Sequence, residues 1–231
     1  AAPGPVFRKK RIIRKMEKWV VCTKKADFYG IAEKFRINPV IARLIRNRDV
    51  IGDQKIQEYL HGTLADLPSG RKMKDLEKAA EILEKKIQEG CRIRIIGDYD
   101  IDGVTSTTIL LKGLKRLGAK VDTCIPDRIK DGYGINEHLI SKALEDGIDT
   151  IVTCDNGIAA ADEIAYGKEM GMTVIVTDHH EVPFDEQDGE KRYRIPPADA
   201  VMDPKQPDCL YPFKGLCGAA VAYKLMEALW E

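Results

Sequence analysis

The sequence predicts an α/β protein with a mostly parallel sheet and helices on both faces, preceded by a small basic helical region. From residue 92 onward, short runs of Ile, Val and Thr alternate with longer helical patterns, which is the rhythm of βαβ units. Before residue 70 the chain shows helical patterns and an excess of lysine and arginine. Apolar residues make up 44% and charged residues 32% of the 231 residues, which indicates a folded protein and excludes disordered and fibrous classes.

Charge is distributed unevenly along the chain. Residues 1–60 carry a net charge of +9 and the remainder carries −9, so the formal total is zero. A zero total argues against a uniformly basic nucleic-acid coat. A basic cluster with Trp19 beside it consists of Arg8, Lys9, Lys10, Arg11, Arg14, Lys15, Lys18, Lys24 and Lys25. Such a cluster is typical either of a solvated face or of an arm that contacts phosphates, and both interpretations stay open.

A boundary is predicted near residue 70. Asn38 and Pro39 open one short helix, and Asp53 can cap a second, since these residue types favour helix starts. The stretch 62–70, with Gly at each end, is expected to be a connector. Asp75 then starts an amphipathic helix that stops at Gly90. We therefore expect a basic helical region and connector over 1–70 and one α/β domain over 71–231.

The α/β domain is predicted from five strands and the helical patterns between them. The strands are expected at 92–97, 120–125, 149–154, 172–177 and 199–202. The helices are expected at 105–117, 136–145, 158–170 and 218–230. This order predicts right-handed crossovers and a parallel sheet covered on both faces.

Acids and histidines follow three of these strands. The first strand is followed by Asp98, Asp100 and Asp102, the third by Asp155, and the fourth by the run Asp178-His179-His180-Glu181. Because reactive groups collect beyond the carboxyl ends of parallel strands, these side chains are expected to lie at one edge. Two of the four histidines of the chain are placed there side by side, although adjacent histidines alone are also typical of a polar loop.

The cluster from Asp98 to Gly103 has competing interpretations. It matches the opening of an EF-hand loop, but Ile109 occupies the twelfth position, where calcium needs a Glu, and a strand precedes it. A nucleotide-binding loop is disfavoured because its three acids would repel a pyrophosphate. A plain turn rich in Asp remains open.

Divalent metal is the simplest explanation of so many acids at one edge, since crowded carboxylates need cations to neutralise them. Carboxylates with imidazoles and no thiolate suit Mn²⁺ or Mg²⁺. Two such ions bridged by one carboxylate form a common apparatus for hydrolysing phosphate esters. The residues therefore predict metal-dependent phosphoester hydrolysis.

Five motifs, in this order, resemble those of the DHH phosphoesterase superfamily, in its RecJ branch. They are DYDIDGVTST from residue 98, GYGIN from 132, DNGI from 155, TDHHE from 177 and YPFKGLCGAAVAYKL from 211. The resemblance implies an exonuclease that degrades single-stranded DNA from its 5′ end in DNA repair and recombination, using Mn²⁺ or Mg²⁺. It implies single-stranded DNA as the substrate, with a single-strand-binding protein and a repair helicase as candidate partners.

The resemblance also implies roles for individual residues. Asp100, Asp102, Asp155 and His179 are expected to bind the metals, with Asp155 as the bridge and Asp98 as a ligand or an immediate neighbour of one. Asp178 is expected to orient the histidines, and His180 to contact the scissile phosphate or assist the leaving group. Arg128, Tyr133 and Asn136 are expected to handle phosphate or the terminal nucleotide. For Asn136, simple capping of the following helix is an equal alternative.

Two departures limit what the resemblance carries. The family places a further metal-binding Asp in a later motif, followed by a second catalytic-lobe domain, and this sequence has no counterpart of either. The second metal site is therefore expected to be incomplete, and this polypeptide is expected to show weak activity or none alone. Rival hypotheses are a DHH phosphodiesterase acting on short oligoribonucleotides or cyclic dinucleotides, and a non-catalytic scaffold in a replication or repair complex. The phosphodiesterase is disfavoured by the basic region and by Asp98, because those relatives usually open this motif with His. The scaffold is disfavoured because all the acids are retained.

Composition gives a further expectation about location. The six cysteines include no pair two residues apart, which disfavours a zinc ribbon or a disulfide framework. The longest apolar stretch, 215–223, is about half the length of a membrane span. We expect a cytoplasmic protein that does not associate with membranes.

Overall fold

The computed structural model describes residues 24–187 and 189–230. The chain divides into two compact units, Ala1–Leu67 and Pro68–Glu231. Most of the basic cluster, from Arg8 to Trp19, lies outside the described residues; Lys24 and Lys25 lie within them.

From residue 24 onward, where the structure describes it, the first unit contains three short helices: α1 (Phe28–Phe35), α2 (Pro39–Asn47) and α3 (Asp53–His61). The Asp27 carboxylate accepts a hydrogen bond from the Gly30 N–H and so caps α1, a helix that was not predicted from the sequence. The Asn38 side chain caps α2 in the same way, and Pro39 occupies its first turn. A 3₁₀ turn, Leu64–Asp66, follows α3.

The second unit alternates strands and helices. A 3₁₀ turn, Gly70–Lys72, precedes them. The helices are α4 (Leu76–Gln88), α5 (Ile101–Arg116), α6 (Glu137–Glu145), α7 (Ala161–Glu169) and α8 (Gly218–Trp230). The strands are β1 (Arg92–Ile96), β2 (Lys120–Cys124), β3 (Thr150–Cys154), β4 (Thr173–Thr177), β5 (Phe184–Gln187), β6 (Glu190–Tyr193) and β7 (Ala200–Met202).

Five strands form one sheet in the order β2-β1-β3-β4-β7, and every pair in it is parallel. Each of these strands lies within one residue of its predicted bounds, so the prediction of a mostly parallel α/β fold is confirmed. The antiparallel hairpin of β5 and β6 was not predicted. Its residues are exposed on both faces, so they lack the alternation that marks a half-buried strand.

Helices cover both faces of the sheet, as predicted. On one face, Leu76, Leu83, Leu114 and Leu225 of α4, α5 and α8 pack with side chains from β1, β3 and β4. On the other face, α6 and α7 pack over alternate residues of the same strands. β3 lies at the centre of the sheet, and because helices cover both faces, all five of its residues are buried. No helix among the described residues is long and apolar enough to cross a membrane.

Candidate metal centre

Three neighbouring strands end at the same edge of the sheet and carry the predicted acids there. β3 lies between β1 and β4, with Ile96 opposite Thr153 and Cys154 opposite Thr177. The chain leaving each strand therefore places its acid close to the other two: Asp98 after β1, Asp155 after β3 and Asp178 after β4. All three carboxylates are buried. The parallel topology thus accounts for the convergence that the sequence predicted.

Two groups of side chains bring their ligand atoms within 4.8 Å of one another. One consists of Asp98, Asp100 and Asp155, and the other of Asp155, His179 and His180. Asp155 belongs to both groups. A carboxylate shared between two ligand sets is the arrangement found in two-metal sites.

The donor atoms fit a hard divalent cation. Oδ1 of Asp98 and Oδ1 of Asp155 are buried and accept no hydrogen bond. Buried carboxylate oxygens almost always have a polar partner, so these two atoms fit a site at which a cation would be that partner. His179 Nε2 lies 2.9 Å from Oδ1 of Asp155, which brings a second ligand atom to the same point. Oxygen and imidazole donors without thiolate suit Mn²⁺ or Mg²⁺.

Asp155 has an unusual backbone conformation and a raised pKa. Its backbone has φ 62°, in the left-handed region that non-glycine residues seldom adopt. The turn continues through Gly157 at φ 112°, where an added Cβ would lie 2.6 Å from Thr153 Oγ1. Burial, and then the charges of Asp102 and Asp100, raise the pKa of Asp155 to about 7. A cation at this point would offset the same desolvation and repulsion.

Asp178 contacts both histidine residues through backbone and side chain. Its Oδ1 accepts hydrogen bonds from the backbone N–H groups of His179 and His180 and lies 2.7 Å from His180 Nδ1. Its Oδ2 accepts from the Ile158 N–H. The hydrogen bond to Asp178 raises the pKa of His180. Because Nδ1 faces the carboxylate, Nε2 is the ring nitrogen left to face the ligand group.

Asp100 and Asp102 also hold helices in place. Oδ1 of Asp100 accepts from the N–H groups of Asp102 and Gly103, which is why α5 begins four residues before its predicted start. Asp102 accepts from the N–H groups of Gly218 and Ala219 at the start of α8. Its Oδ2 lies 3.4 Å from His179 Nε2, yet Asp102 belongs to neither ligand group. Of the predicted ligands Asp98 and Asp102, the first lies in a ligand group and the second does not; the role of Asp102 stays a prediction.

Asn156 is a central residue of the site that sequence reasoning missed. It is 1% exposed. Its Nδ2 donates to the carbonyls of Ile96 and Cys154, at the ends of β1 and β3, and its Oδ1 accepts from the Ile135 N–H. The sheet edge at which β1, β3 and β4 end is called the metal edge below. One carboxamide therefore links the ends of β1 and β3 at this edge to the loop that carries Tyr133. The adjacent Asp155 was the only signal in the sequence.

Gly218 is a second residue whose role the sequence did not reveal. A Cβ built at this glycine would lie 2.7 Å from Oδ1 and 2.9 Å from Cβ of Asp155. Such distances are far below van der Waals contact, so only glycine allows the first turn of α8 to approach Asp155 this closely.

The three predicted substrate residues lie in the segment that joins β2 to α6, with Asn136 at the start of the helix. Tyr133 donates a hydrogen bond from its hydroxyl to the Asp155 carbonyl at 3.2 Å, and this hydroxyl lies 3.4 Å from His180 Nε2. Arg128 is exposed, with its guanidinium carbon 5.2 Å from the centroid of the Tyr99 ring. Asn136 caps α6 through Oδ1 and donates from Nδ2 to the Asp131 carbonyl. Its side-chain groups are thus used within the protein.

Fold and site together define a class: an α/β domain with carboxylate and imidazole ligand groups at the carboxyl edge of a parallel sheet. The chain belongs to the DHH family, because residues 92–231 match the N-terminal domain of that family.

Curated relatives resemble the chain over most of its length. It is 42% identical over 200 residues to the single-stranded-DNA-specific exonuclease RecJ of Bacillus subtilis (strain 168), covering 87% of this chain and 24% of the relative. It is 36% identical over 192 residues to the enzyme of the same name from Escherichia coli (strain K12), covering 83% of this chain and 31% of the relative. The chain thus spans about a quarter to a third of the length of these relatives.

Solved structures give the same likeness. An exonuclease RecJ bound to manganese is 40% identical, with a TM-score of 0.59 over 72% of this chain and 39% of that one. RecJ from Thermus thermophilus in complex with Mn²⁺ is 32% identical, with a TM-score of 0.67 over 92% of this chain and 28% of that one.

Proposed function

We propose that this chain is the metal-binding part of a nuclease that removes nucleotides from the 5′ end of single-stranded DNA, using Mn²⁺ or Mg²⁺. The observation that carries the proposal is the pair of ligand groups that share Asp155. The similarity to RecJ exonucleases and to a Mn²⁺ complex of RecJ supports the choice of substrate and metal.

The ligand assignment follows from the two groups. One ion would be bound by Asp98, Asp100 and Asp155. A second ion would take some of its ligands from Asp155 and His179. We assign Asp98 to the ligands in place of Asp102, because Asp98 lies in a ligand group whereas Asp102 lies in neither and contacts the start of α8. Bound here, the ions would lower the pKa of a water molecule and stabilise the charge developing on the phosphate.

His180 and Asp178 would act on the leaving group. The Asp178 carboxylate holds His180 Nδ1, which presents Nε2 toward the ligand group and the Tyr133 hydroxyl. A histidine held in this way can donate a proton to a departing oxygen, because the nearby carboxylate stabilises its charged form. Arg128, with its exposed guanidinium, would bind a phosphate of the terminal nucleotide. Asn136 would act on this loop through its cap on α6.

Hydrolysis of labelled oligonucleotides tests the proposal. Single-stranded DNA labelled at the 5′ or the 3′ end and the matching duplex would be incubated with this chain and with a longer natural polypeptide that contains it. We expect the longer polypeptide to release 5′ nucleotides from the single strand in Mn²⁺ and not in EDTA. Asp155→Ala should abolish this activity, whereas Asp162→Ala, which removes an exposed acid that pairs with Arg194, should not.

Other outcomes would replace the proposal. Equal digestion of duplex, or preference for short oligoribonucleotides or cyclic dinucleotides, would favour a DHH phosphodiesterase of different substrate class. Activity that survives EDTA would exclude metal-dependent chemistry. Binding of Mn²⁺ without any hydrolysis in the longer polypeptide would favour a scaffold in a replication or repair complex.

The proposal also covers the DNA contacts of the first region, the location of the protein in the cell and its protein partners. The basic helical region and connector, 1–70, would contact the DNA backbone, and residues 71–231 would form the DHH domain. The five described cysteines are all free, which supports a reducing, cytoplasmic location. A single-strand-binding protein and a repair helicase are the proposed protein partners, to be tested by co-purification with the longer polypeptide.

A further inference from the structure

Tyr99 lies at the metal edge between two ligand residues. Asp98, before it, is 3% exposed, and Asp100, after it, caps α5 through two hydrogen bonds. The backbone is therefore held on both sides of Tyr99, and this fixes the position of its Cα relative to the ligand groups. The Tyr99 hydroxyl makes no hydrogen bond to any residue that the structure describes, so the contacts of the side chain are those of its ring.

The ring of Tyr99 contacts both residues proposed to handle the terminal nucleotide. The Tyr133 ring stands edge-on to it, with centroids 6.4 Å apart and planes at 87°. The Arg128 guanidinium carbon lies 5.2 Å from its centroid. Both geometries are favourable, one between an aromatic edge and face and the other between a cation and a ring.

Arg128 has few other restraints. It forms no ion pair with the carboxylates of the described residues, and its loop is ordered locally by Asp127, which accepts from the N–H groups of Ile129 and Lys130. The Tyr99 ring is thus the contact that joins the Arg128 side chain to the metal edge.

A continuous row of rings leads from Arg128 to the predicted leaving-group residue. Tyr133 stands edge-on to His180 with centroids 6.1 Å apart, in the same orientation as its contact with Tyr99. A shift of the Tyr99 ring would therefore move Arg128 directly and would remove one of the two ring neighbours of Tyr133. Among the described residues, none of the proposed metal ligands makes a hydrogen bond or a ring contact with the Tyr99 side chain.

We propose that Tyr99 is a positioning residue for the substrate: its ring sets the distance of Arg128 and Tyr133 from the metal groups, and so fixes the terminal nucleotide over them. This inference rests on the proposed function. It assigns the role to the ring rather than to the hydroxyl, and to substrate binding rather than to metal binding.

Kinetics of two variants of the longer polypeptide, measured in Mn²⁺, test this role of Tyr99. Tyr99→Leu removes the ring, and we expect it to raise KM for a single-stranded oligonucleotide by about tenfold, the factor given by loss of weak aromatic and cation contacts. Its kcat and its Mn²⁺ affinity, measured by calorimetry, should stay within about twofold of wild type. Tyr99→Phe keeps the ring and should match wild type. Tyr193→Leu, an exposed tyrosine on the hairpin, is the matched control and should leave KM unchanged.

Three results would overturn the inference: an unchanged KM in Tyr99→Leu, an equal loss in Tyr99→Phe, or a parallel loss of Mn²⁺ affinity. A second measurement needs no activity. In metal-free wild type and in Tyr99→Phe, the Arg128 Hδ protons should resonate upfield because they adjoin the guanidinium that lies over the ring, and this shift should vanish in Tyr99→Leu. Absence of the shift in wild type would contradict the inference, whereas failure of wild type to hydrolyse DNA would contradict the proposed function.

Discussion

His180 Nδ1 lies 2.7 Å from Oδ1 of Asp178, and the same oxygen accepts the backbone N–H of His180. One carboxylate oxygen thus fixes both the ring and the main chain of the histidine. The other oxygen accepts from Ile158 beyond β3, so the orientation of His180 is coupled to the strand end that carries Asp155.

Replacing Asp178 by Asn should lower the pKa of His180. The Asp178 carboxylate is the largest influence that raises this pKa, and burial of the ring acts in the opposite direction. Titration of the His180 ring protons by NMR in the metal-free protein would show the change. Asp162→Asn removes an exposed carboxylate elsewhere and should leave the titration unaltered. A His180 pKa unaffected by Asp178→Asn would show that the contact does not form in solution.

Gly218→Ala should weaken Mn²⁺ binding by at least about tenfold, since a small displacement of a ligand is costly in a metal site. The new methyl group would overlap Asp155 at 2.7 Å from Oδ1, so either the ligand or α8 must move. Gly167→Ala in α7, on the other face of the sheet, is the matched control, because its Cβ would meet Ile140 and Val174 at an ordinary 3.6 Å. It should leave Mn²⁺ affinity unchanged and stabilise α7 by about 0.5–1 kcal/mol. Calorimetric titration with Mn²⁺ and thermal unfolding measure the two effects.

Asp98 and Asp102 should respond differently to loss of charge. Asp98→Asn removes a buried oxygen that accepts no hydrogen bond, so it should reduce Mn²⁺ affinity strongly and cost little stability. Asp102→Asn leaves one N–H at the start of α8 without its acceptor, which should cost about 0.5–2 kcal/mol of stability. Mn²⁺ affinity should fall much less than in Asp98→Asn. The reverse order of Mn²⁺ affinities would restore Asp102 as the metal ligand.

Asp203 should make the stability of the metal-free protein depend on pH. Burial is the main influence that raises the pKa of Asp203 to about 7 from its ordinary 3.8, while the Lys205 N–H opposes it. The folded state then holds this proton more tightly than the unfolded state, so stability is lost as pH rises from about 4 to 7. In EDTA, Asp203→Asn should therefore be more stable than wild type at pH 8, with the difference shrinking toward pH 5.

A matched control exists for this prediction. Asp208 is exposed and paired with Lys74, which lowers its pKa below that range. Asp208→Asn should leave the slope of stability between pH 5 and 8 as in wild type. Urea unfolding at several pH values measures the slope. If Asp203→Asn has the same slope as wild type, Asp203 is ionised throughout this range.

Much of this site could be predicted from the sequence, because strand endings determine it. Parallel strands must end at one edge, so acids after β1, β3 and β4 must converge, and their residue types indicate the metal. Exact side-chain assignments could not be predicted. The proposed choice between Asp98 and Asp102 as ligand rests on the contact of Asp102 with the start of α8, which lies more than a hundred residues away in the chain.

The contributions of Asn156 and Gly218 also depend on tertiary contacts. Asn156 resembles any turn residue in the sequence, and only the folded chain brings the carbonyls of Ile96 and Cys154 to its amide. Helix α1 and the β5–β6 hairpin escaped prediction for different reasons. The hairpin residues carry no alternation, and pairing between the two strands stabilises them. Helix α1 is amphipathic and begins at the Asp27 cap, so its pattern was present in the sequence and was overlooked.

Anomalous diffraction at the manganese edge, from crystals of this chain grown with Mn²⁺, tests the central claim most directly. The account predicts an anomalous peak within coordination distance of Asp155 and of Asp98 or His179, and its loss in Asp155→Asn. No peak at the edge formed by β1, β3 and β4, with the chain folded and Mn²⁺ in excess, would contradict it.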